Sequence, residues 1–324
     1  MQVWHGLDEV GAEFGPSVVT IGNFDGVHRG HQEVLAHAKA RAAELGGQGG
    51  ALPVVALTFD PHPMRVLRPD HAPLMLSEPG QRAELLGQHG ADAVLILPFD
   101  KDVASWSPEE FIERVLVGTL HAKAIVVGEN FRFGHKAAGH VDTLVAAGTT
   151  YGFQVEGLSL AGDAQPWSST YVRQRLAEGD VEAAAEALGR PLRVTGVVIE
   201  GDKRGRELGY PTANIPADPI AAVPLDGVYA GWLTVLTPAD GGPSYDEPMP
   251  AAISVGSNPT FDGVDRRVES YVLDRDDLEL YGARIAIDFV ARLRGSQIRF
   301  ETIDDLLVQM KADVDGARRI LTEN

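Results

Sequence analysis

The chain of 324 residues contains no cysteine, which excludes disulfides, thiolate catalysis and cysteine-ligated metal sites. It is also poor in positive charge, because 28 lysine and arginine residues stand against 46 aspartate and glutamate residues, for a formal net charge of −18. A surface of this sign repels polyanions, so nucleic acid is not expected as a partner. A small anionic substrate remains possible, since it needs only a local basic pocket.

Long hydrophobic runs are absent as well. No apolar stretch approaches the ~20 residues needed to span a bilayer, and residues 1–15 carry three acidic side chains instead of the apolar core of a signal peptide. We therefore expect a cytoplasmic protein without a membrane partner. The sequence does not indicate its oligomeric state.

The first part of the chain alternates apolar, β-branched runs with helical patterns, which is typical of a parallel sheet covered on both faces. Strands are predicted at residues 18–21, 54–59, 93–98, 124–128 and 151–158, and helices at 32–45, 80–89, 108–116 and 141–147. A further helix at 181–188 has Asp180 as N-cap and Gly189 after its last turn. Because Pro191 follows, we expect two domains, 1–187 and 191–324.

The pattern of the second part of the chain is typical of an antiparallel β-sheet. Strand-like segments separated by turns rich in Gly, Pro and Asp predict a barrel or sandwich, at residues 194–200, 228–236, 251–255, 268–273 and 284–293. One helix closes the chain, with Thr302 as its cap. Its apolar residues recur at helical spacing and are predicted to pack in the core: Ile303, Leu306, Leu307, Met310 and Val314.

Residues 22–31, Gly-Asn-Phe-Asp-Gly-Val-His-Arg-Gly-His, are the most informative segment. They lie between a predicted strand and a predicted helix, where backbone N–H groups and the helix dipole can face a phosphate. His28 and His31 reach the same place. Taken alone, these histidines could also be ordinary surface or core residues, or metal ligands. Zinc is disfavoured because Asp25 is the only carboxylate at suitable spacing.

A second dense motif covers residues 201–214. Its glycines permit close backbone approach, its basic residues supply local positive charge, and Thr212 and Asn214 offer neutral oxygens that suit Mg²⁺ when phosphates complete the coordination. On composition alone, an ordinary hairpin loop is the simpler interpretation.

The motifs of the first part resemble the bacterial bifunctional riboflavin kinase/FAD synthetases, within the nucleotidyltransferase superfamily. Besides residues 22–31, the segments 58–63, 127–134 and 168–173 match in the same order. The resemblance implies a Rossmann-like α/β domain that transfers an adenylyl group from ATP to FMN, with His28 and His31 as catalytic residues. It implies flavin binding by Asp60 and Pro61, and nucleotide binding by Gly22, Phe24, Asp25, Gly26, Asn130, Ser168, Ser169, Thr170 and Arg173.

Residues 201–214, 255–261, 267–274, 280–282 and 293–294 resemble the riboflavin kinase module of the same family. This implies a six-stranded antiparallel barrel with a terminal helix, and Mg²⁺-dependent phosphorylation of riboflavin by ATP. The implied site consists of Glu269 as catalytic base, Thr212 and Asn214 as metal ligands, Arg294 at the flavin, and Gly201, Lys203, Arg206, Gly209 and Pro211 at the nucleotide.

The alternation of a strand places Glu269 on the same face as Tyr271 and Leu273. A carboxylate that this partly apolar face desolvates would have a raised pKa and be a better base. Without the resemblance, Glu269 is simply a solvated strand residue.

The sequence thus predicts an enzyme that converts riboflavin to FMN and FMN to FAD. Two alternatives stay open. One is another nucleotidyltransferase with a His-x-Gly-His motif, such as a class I aminoacyl-tRNA synthetase, although the Lys-Met-Ser-Lys-Ser motif of that class is absent. The other is a flavin- or nucleotide-binding regulator without catalysis.

Overall fold

The computed structural model describes residues 1–159, 167–201, 208–245, 247–260, 263–295 and 302–322. The chain forms two compact units, one of residues 1–73 and 77–168 and one of residues 74–76 and 169–324. The second unit begins earlier than the predicted boundary at 187–191, because a helix preceding that boundary packs on strands that follow it. The boundary between the functional domains stays a prediction.

The first unit is built on a six-stranded parallel sheet. Its strands are β1 (Gln2–Trp4), β2 (Ser17–Ile21), β3 (Val54–Asp60), β4 (Ala93–Pro98), β5 (Ala122–Gly128) and β6 (Gln154–Leu158). They are ordered β1-β4-β3-β2-β5-β6, and every neighbouring pair is parallel. All five residues of β2 are buried, as expected of a strand covered on both faces. The predicted α/β architecture is confirmed.

Helices cover this sheet. They are α1 (Arg29–Gly46), α2 (Pro63–Leu67), α3 (Pro79–Gln88), α4 (Pro108–Phe111, continued by a π-helical turn Ile112–Val117) and α5 (Val141–Tyr151). In α1, Val34, Leu35, Ala38 and Ala42 are buried, and this spacing turns one stripe of the helix toward the sheet. Helix α5 continues to Tyr151 and ends at Gly152 in the left-handed region. The prediction of a strand from residue 151 was therefore wrong at its start.

The second unit begins with α6 (Ser169–Glu178) and α7 (Val181–Leu188) and continues as a six-stranded antiparallel sheet. Its strands are β7 (Leu192–Val197), β8 (Ala213–Pro216), β9 (Gly227–Thr237), β10 (Met249–Thr260), β11 (Gly263–Val272) and β12 (Arg284–Gly295). They are ordered β7-β12-β9-β10-β11-β8. A bridge between Ile199 and Asn214 brings the two ends together, so the sheet nearly closes into the expected barrel.

Helix α8 (Ile303–Thr322) closes the chain. Thr302 caps it, as predicted, by accepting the backbone N–H of Asp305 at 3.1 Å. The buried core contact comes from its second half, where Ala317 and Val314 pack with Leu273 and strand residues. Ile303 is 65% exposed, so its predicted place in the core was wrong. It lies in the first turn, before the helix meets the barrel core.

Candidate active sites

The first site lies at the carboxyl edge of the parallel sheet. Strand β2 has β3 on one side and β5 on the other, so the chain leaves β2 at the point where the strand order reverses. Open parallel sheets bind ligands at such points. The motif residues follow these three strands: Gly22 to His31 follow β2, Asp60 ends β3, and Asn130 follows β5.

Hydrogen bonds to Ser77 fix the loop after β2. Gly26 has φ 81°, and the non-glycine residues Phe24 and Val27 have φ 47° and 43°, so the backbone turns tightly here. The carboxylate of Asp25 is buried and accepts the backbone N–H of Ser77 at 3.1 Å. The Ser77 hydroxyl in turn accepts the Gly26 N–H at 3.0 Å. The structure thus places Asp25 and Gly26 in contacts that fix the loop.

His28 and His31 stand together at the start of α1. His28 is the N-cap residue, and its carbonyl oxygen accepts the backbone N–H of His31 at 2.8 Å. The two rings are stacked, with centroids 3.6 Å apart and planes at 23°. Burial, then His28 and Arg82, hold the pKa of His31 well below its usual value. At neutral pH the His31 ring is therefore uncharged, with one N–H to donate.

Gly30, between these histidines, sits in a tight position. A Cβ atom there would lie 3.2 Å from the carbonyl oxygen of Trp167 and 3.3 Å from the His28 ring. The motif needs glycine at this place because a side chain would displace the ring that the motif presents.

A cleft of about 590 Å³, open to solvent, lies beside this motif. It is lined by residues that end or follow β2 and β5, together with two from α1 and one from β6: Ile21, Gly22, Phe24, His31, Val34, Gly128, Glu129, Asn130, Phe131 and Leu158. The structure therefore brings Asn130, Gly22 and Phe24 together with His31, as the resemblance implied.

The other predicted residues of this site are not among those that line the cleft. Asp60 and Pro61 are exposed at the end of β3. Ser168 ends the first unit, whereas Ser169, Thr170 and Arg173 lie on α6 of the second. The Arg173 Nε–H donates to the carbonyl oxygen of Leu74 at 2.6 Å, inside that unit.

The second site lies on the barrel, where β8 and β11 pair. Glu269 of β11 stands opposite Asn214 of β8 in the register. The Asn214 side chain is buried, and its amide N–H donates to the carbonyl oxygen and hydroxyl of Thr212 at 3.1 and 3.2 Å. Gly201 lies close by, since a Cβ atom on it would be 2.7 Å from the Asn214 side chain. The predicted base and metal ligands are thus neighbours.

A pocket adjoins Thr212, with a volume of about 430 Å³ that includes the solvent at its open side. Its lining combines apolar and polar side chains: Val198, Pro211, Thr212, Ala213, Ser270, Val272, Arg275, Asp276, Leu278, Leu280 and Tyr281. The Ser270 hydroxyl is buried here with no hydrogen-bond partner among the described residues. A polar ligand atom in the pocket would satisfy it.

The remaining motif residues divide into two groups. Gly209 lies in the turn before Tyr210 and Pro211, and the Tyr210 ring meets the edge of Tyr271 at 5.2 Å between centroids. Lys203 and Arg206 lie outside the described residues.

Arg294 has a structural partner that the sequence did not indicate. Its Nε–H and Nη2–H donate to the two carboxylate oxygens of Asp313 on α8, at 2.9 and 2.8 Å. The Asp313 side chain is 10% exposed and that of Arg294 is 20% exposed. The structure thus places Arg294 in a buried ion pair between β12 and α8. Its role at the flavin stays a prediction.

Three further polar residues support these sites and were missed from the sequence: Ser77, Arg82 and Ser270. Ser77 is 51 residues from its partner Gly26 in the chain, and no local pattern joins them. For Ser270, the alternation of β11 carried a signal, because a serine stands between buried Val268 and Val272 on the inward face.

A parallel sheet with a His-x-Gly-His turn at its carboxyl edge, joined in one chain to a barrel that pairs a glutamate with an asparagine, defines a class of nucleotide-dependent transferases. Two family models match the chain, FAD synthetase over residues 12–171 and riboflavin kinase over residues 188–321. The chain belongs to the family of bifunctional riboflavin kinase/FMN adenylyltransferases, and the resemblance found in its motifs is confirmed.

Curated relatives match along the whole chain. Bifunctional riboflavin kinase/FMN adenylyltransferases of Haemophilus influenzae and Pseudomonas fluorescens are 35% and 38% identical, over 98% and 99% of this chain and 98% of each relative. A crystal structure from Streptococcus pneumoniae, described as a macrolide-efflux protein, is 31% identical with a TM-score of 0.83 and covers 98% of both chains. Within the described ranges of the present chain, no helix is long and apolar enough to cross a membrane.

Proposed function

We propose that this protein makes FAD in two steps, phosphorylating riboflavin to FMN on the barrel and adenylylating FMN at the parallel sheet. ATP is the co-substrate of both steps, and we place the protein in the cytoplasm, where ATP is available. The observation that carries the proposal is the coexistence of two sites in one chain: the stacked histidine pair beside a cleft, and Glu269 opposite Asn214.

In the adenylylation step, a phosphate oxygen of FMN attacks the α-phosphorus of ATP. A new P–O bond forms, the bond to the bridging oxygen of the β-phosphate breaks, and pyrophosphate leaves with that electron pair. Negative charge grows on the phosphate oxygens, so catalysis consists of positioning and electrostatic stabilisation. His28 and His31 donate N–H groups to these oxygens, and the positive end of the α1 dipole adds to their effect.

The nucleotide base and ribose have a place beside the histidines. The cleft next to His31 is open to solvent and carries Asn130 on its rim, so an adenosine moiety there would lead its phosphates toward α1. Asp60 and Pro61, at the end of the neighbouring β3, are proposed to meet the flavin. Ser168, Ser169, Thr170 and Arg173 are proposed to complete nucleotide binding.

In the kinase step, Glu269 takes the proton of the ribityl 5′-hydroxyl. The hydroxyl oxygen bonds to the γ-phosphorus of ATP, the bond to the β–γ bridging oxygen breaks, and ADP leaves. The pocket beside Thr212 is proposed to hold part of the nucleotide, whose polar atoms could reach the Ser270 hydroxyl that has no partner in the described part of the chain.

The donor set next to Glu269 fits Mg²⁺. The hydroxyl of Thr212 and the amide oxygen of Asn214 are neutral oxygens within one hydrogen-bonded pair of side chains, and Mg²⁺ accepts such ligands together with water and phosphate oxygens. When bound there, Mg²⁺ would neutralise charge on the transferring phosphate. We propose these two residues as its protein ligands.

Separation of the two activities tests the proposal. Replacing His28 or His31 by Ala is expected to abolish FAD formation from FMN and ATP while riboflavin phosphorylation continues at the wild-type rate. Glu269→Gln is expected to do the reverse, since the amide keeps the shape but cannot take a proton. FAD synthesis at the wild-type rate in both histidine variants, or a fully active Gln variant, would remove the corresponding assignment.

A further inference from the structure

Arg82 is an unusual residue for a helix that packs on a sheet. It lies in α3 and is 1% exposed, among the largest fully buried side chains of the chain. Arginine is almost never fully buried unless other groups engage it. Its surroundings therefore call for a physical explanation.

One end of the Arg82 guanidinium joins two segments of the adenylylation site. Its Nη1–H groups donate to the carbonyl oxygen of Asn23 at 3.1 Å, to the hydroxyl of Thr58 at 3.0 Å and to the carbonyl oxygen of Phe59 at 3.0 Å. The Thr58 hydroxyl itself donates to the Asn23 carbonyl oxygen at 3.0 Å. Asn23 belongs to the loop that leads to His28, and Phe59 directly precedes Asp60.

The other end of the guanidinium is less well satisfied. Nε and Nη2 of Arg82 are buried with no hydrogen-bond partner among the described residues. Burial lowers the pKa of Arg82, and the carboxylates of Asp25 and Asp60 act in the opposite direction. An apolar side chain of similar volume would fill the space around Nε and Nη2 without burying donors that lack acceptors. Packing alone therefore does not account for arginine here.

We propose that Arg82 is a positioning residue for FMN adenylylation, which holds the Asn23 and Phe59 carbonyl groups so that the histidine loop and the Asp60–Pro61 segment face the same substrates. This inference rests on the proposed function of the parallel-sheet site. Arg82 does not touch the reacting atoms. It fixes the geometry between the loop after β2 and the end of β3, which carry the residues proposed to touch them.

The fixed charge of Arg82 has a second consequence at the same site. Arg82 contributes, after burial and His28, to the lowered pKa of His31. Removing the charge is expected to raise that pKa. The His31 titration therefore reports whether the charge of Arg82 acts at this site.

Three substitutions in the full-length protein test the inference. Arg82→Met removes the charge and the hydrogen bonds, whereas Arg82→Lys keeps the charge and loses the planar group. Thr58→Val leaves Arg82 in place and removes the hydroxyl between it and Asn23. Arg114→Met is the matched control, because Arg114 is a half-exposed arginine of the same unit, paired with Glu110.

We expect kcat for FAD formation to fall about 100-fold in Arg82→Met, the loss that a 1 Å misplacement of reacting groups produces. We expect a fall of about tenfold in Arg82→Lys and Thr58→Val, with a smaller change in KM for ATP than in kcat. Riboflavin phosphorylation by the same samples stays at the wild-type rate. By NMR, the His31 pKa rises in Arg82→Met only. Arg114→Met changes none of these quantities.

The experiment distinguishes a failure of the inference about Arg82 from a failure of the proposed function. If the wild-type protein forms no FAD from FMN and ATP, the proposed function fails and the inference falls with it. If the wild type forms FAD and both Arg82→Lys and Thr58→Val keep its kcat, the inference alone is overturned. Those two variants also decide the matter if Arg82→Met does not fold.

Discussion

The ion pair between Arg294 and Asp313 leads to a prediction that tells whether Arg294 stabilises the fold or contacts the flavin. The resemblance places Arg294 at the flavin, whereas the structure engages its guanidinium with a buried carboxylate on α8. Gln309 also donates to that carboxylate, at 2.8 Å. We perturb the pair with Arg294→Met, which keeps the aliphatic stem and removes the charge.

The magnitude follows from the burial of the two side chains. Removing one partner of a buried pair costs about 3–5 kcal/mol, because the other charge remains without compensation. Arg294 is 20% exposed and Asp313 10% exposed, so water can partly solvate the remaining carboxylate and the lower end applies, about 3 kcal/mol. For a unit of this size, that corresponds to a decrease in Tm of roughly 6–12 °C.

The assay is the temperature at which riboflavin phosphorylation is lost, together with riboflavin affinity measured by fluorescence quenching well below that temperature. We expect the decrease in Tm with a riboflavin Kd within about threefold of wild type. The double variant Arg294→Met/Asp313→Leu is the control, and it should recover part of the stability because no buried charge remains. A Tm equal to wild type with a Kd raised tenfold or more would refute the structural role and favour flavin contact.

Two further predictions concern the first unit. Because the fold lowers the pKa of His31 below 6.5, the unfolded chain binds more protons between these two values. The free energy of unfolding is then fully retained above pH 6.5 and falls as pH drops below it. Urea titrations at a series of pH values should show this decrease in the free energy of unfolding for the wild type and a smaller decrease for His31→Asn. An equal dependence on pH in the two proteins would contradict the argument. Gly30→Ala should lower FAD formation at least about tenfold by displacing the His28 ring, while Tm changes little because alanine favours the helix. Rates equal to wild type would contradict the steric argument.

Local signals in the sequence predicted the parts of the fold that depend on local chemistry. Helix α7 has the predicted bounds, with the Asp180 side chain accepting the Ala183 N–H at 3.0 Å and Gly189 in the left-handed region. Strand β4 also has its predicted bounds. A strand covered on both faces is apolar along its whole length, so the ends of the apolar run mark the ends of the strand.

Features that depend on distant partners were not predictable. Strand β8 was missed because it is short and ends at Pro216, and only its pairing with β11 makes it a strand. The sequence of α3 does not distinguish Arg82 from a solvent-exposed helix residue, because its acceptors lie in the loop after β2 and in β3. Arg294 finds Asp313 only once α8 packs on the barrel.

The most direct test of the two-step function incubates the full-length protein with riboflavin, ATP and Mg²⁺ and separates the flavins over time. We predict that FMN appears first and FAD follows at its expense, with ADP and pyrophosphate released in the respective steps. Formation of neither FMN nor FAD by the folded protein would contradict the proposed function.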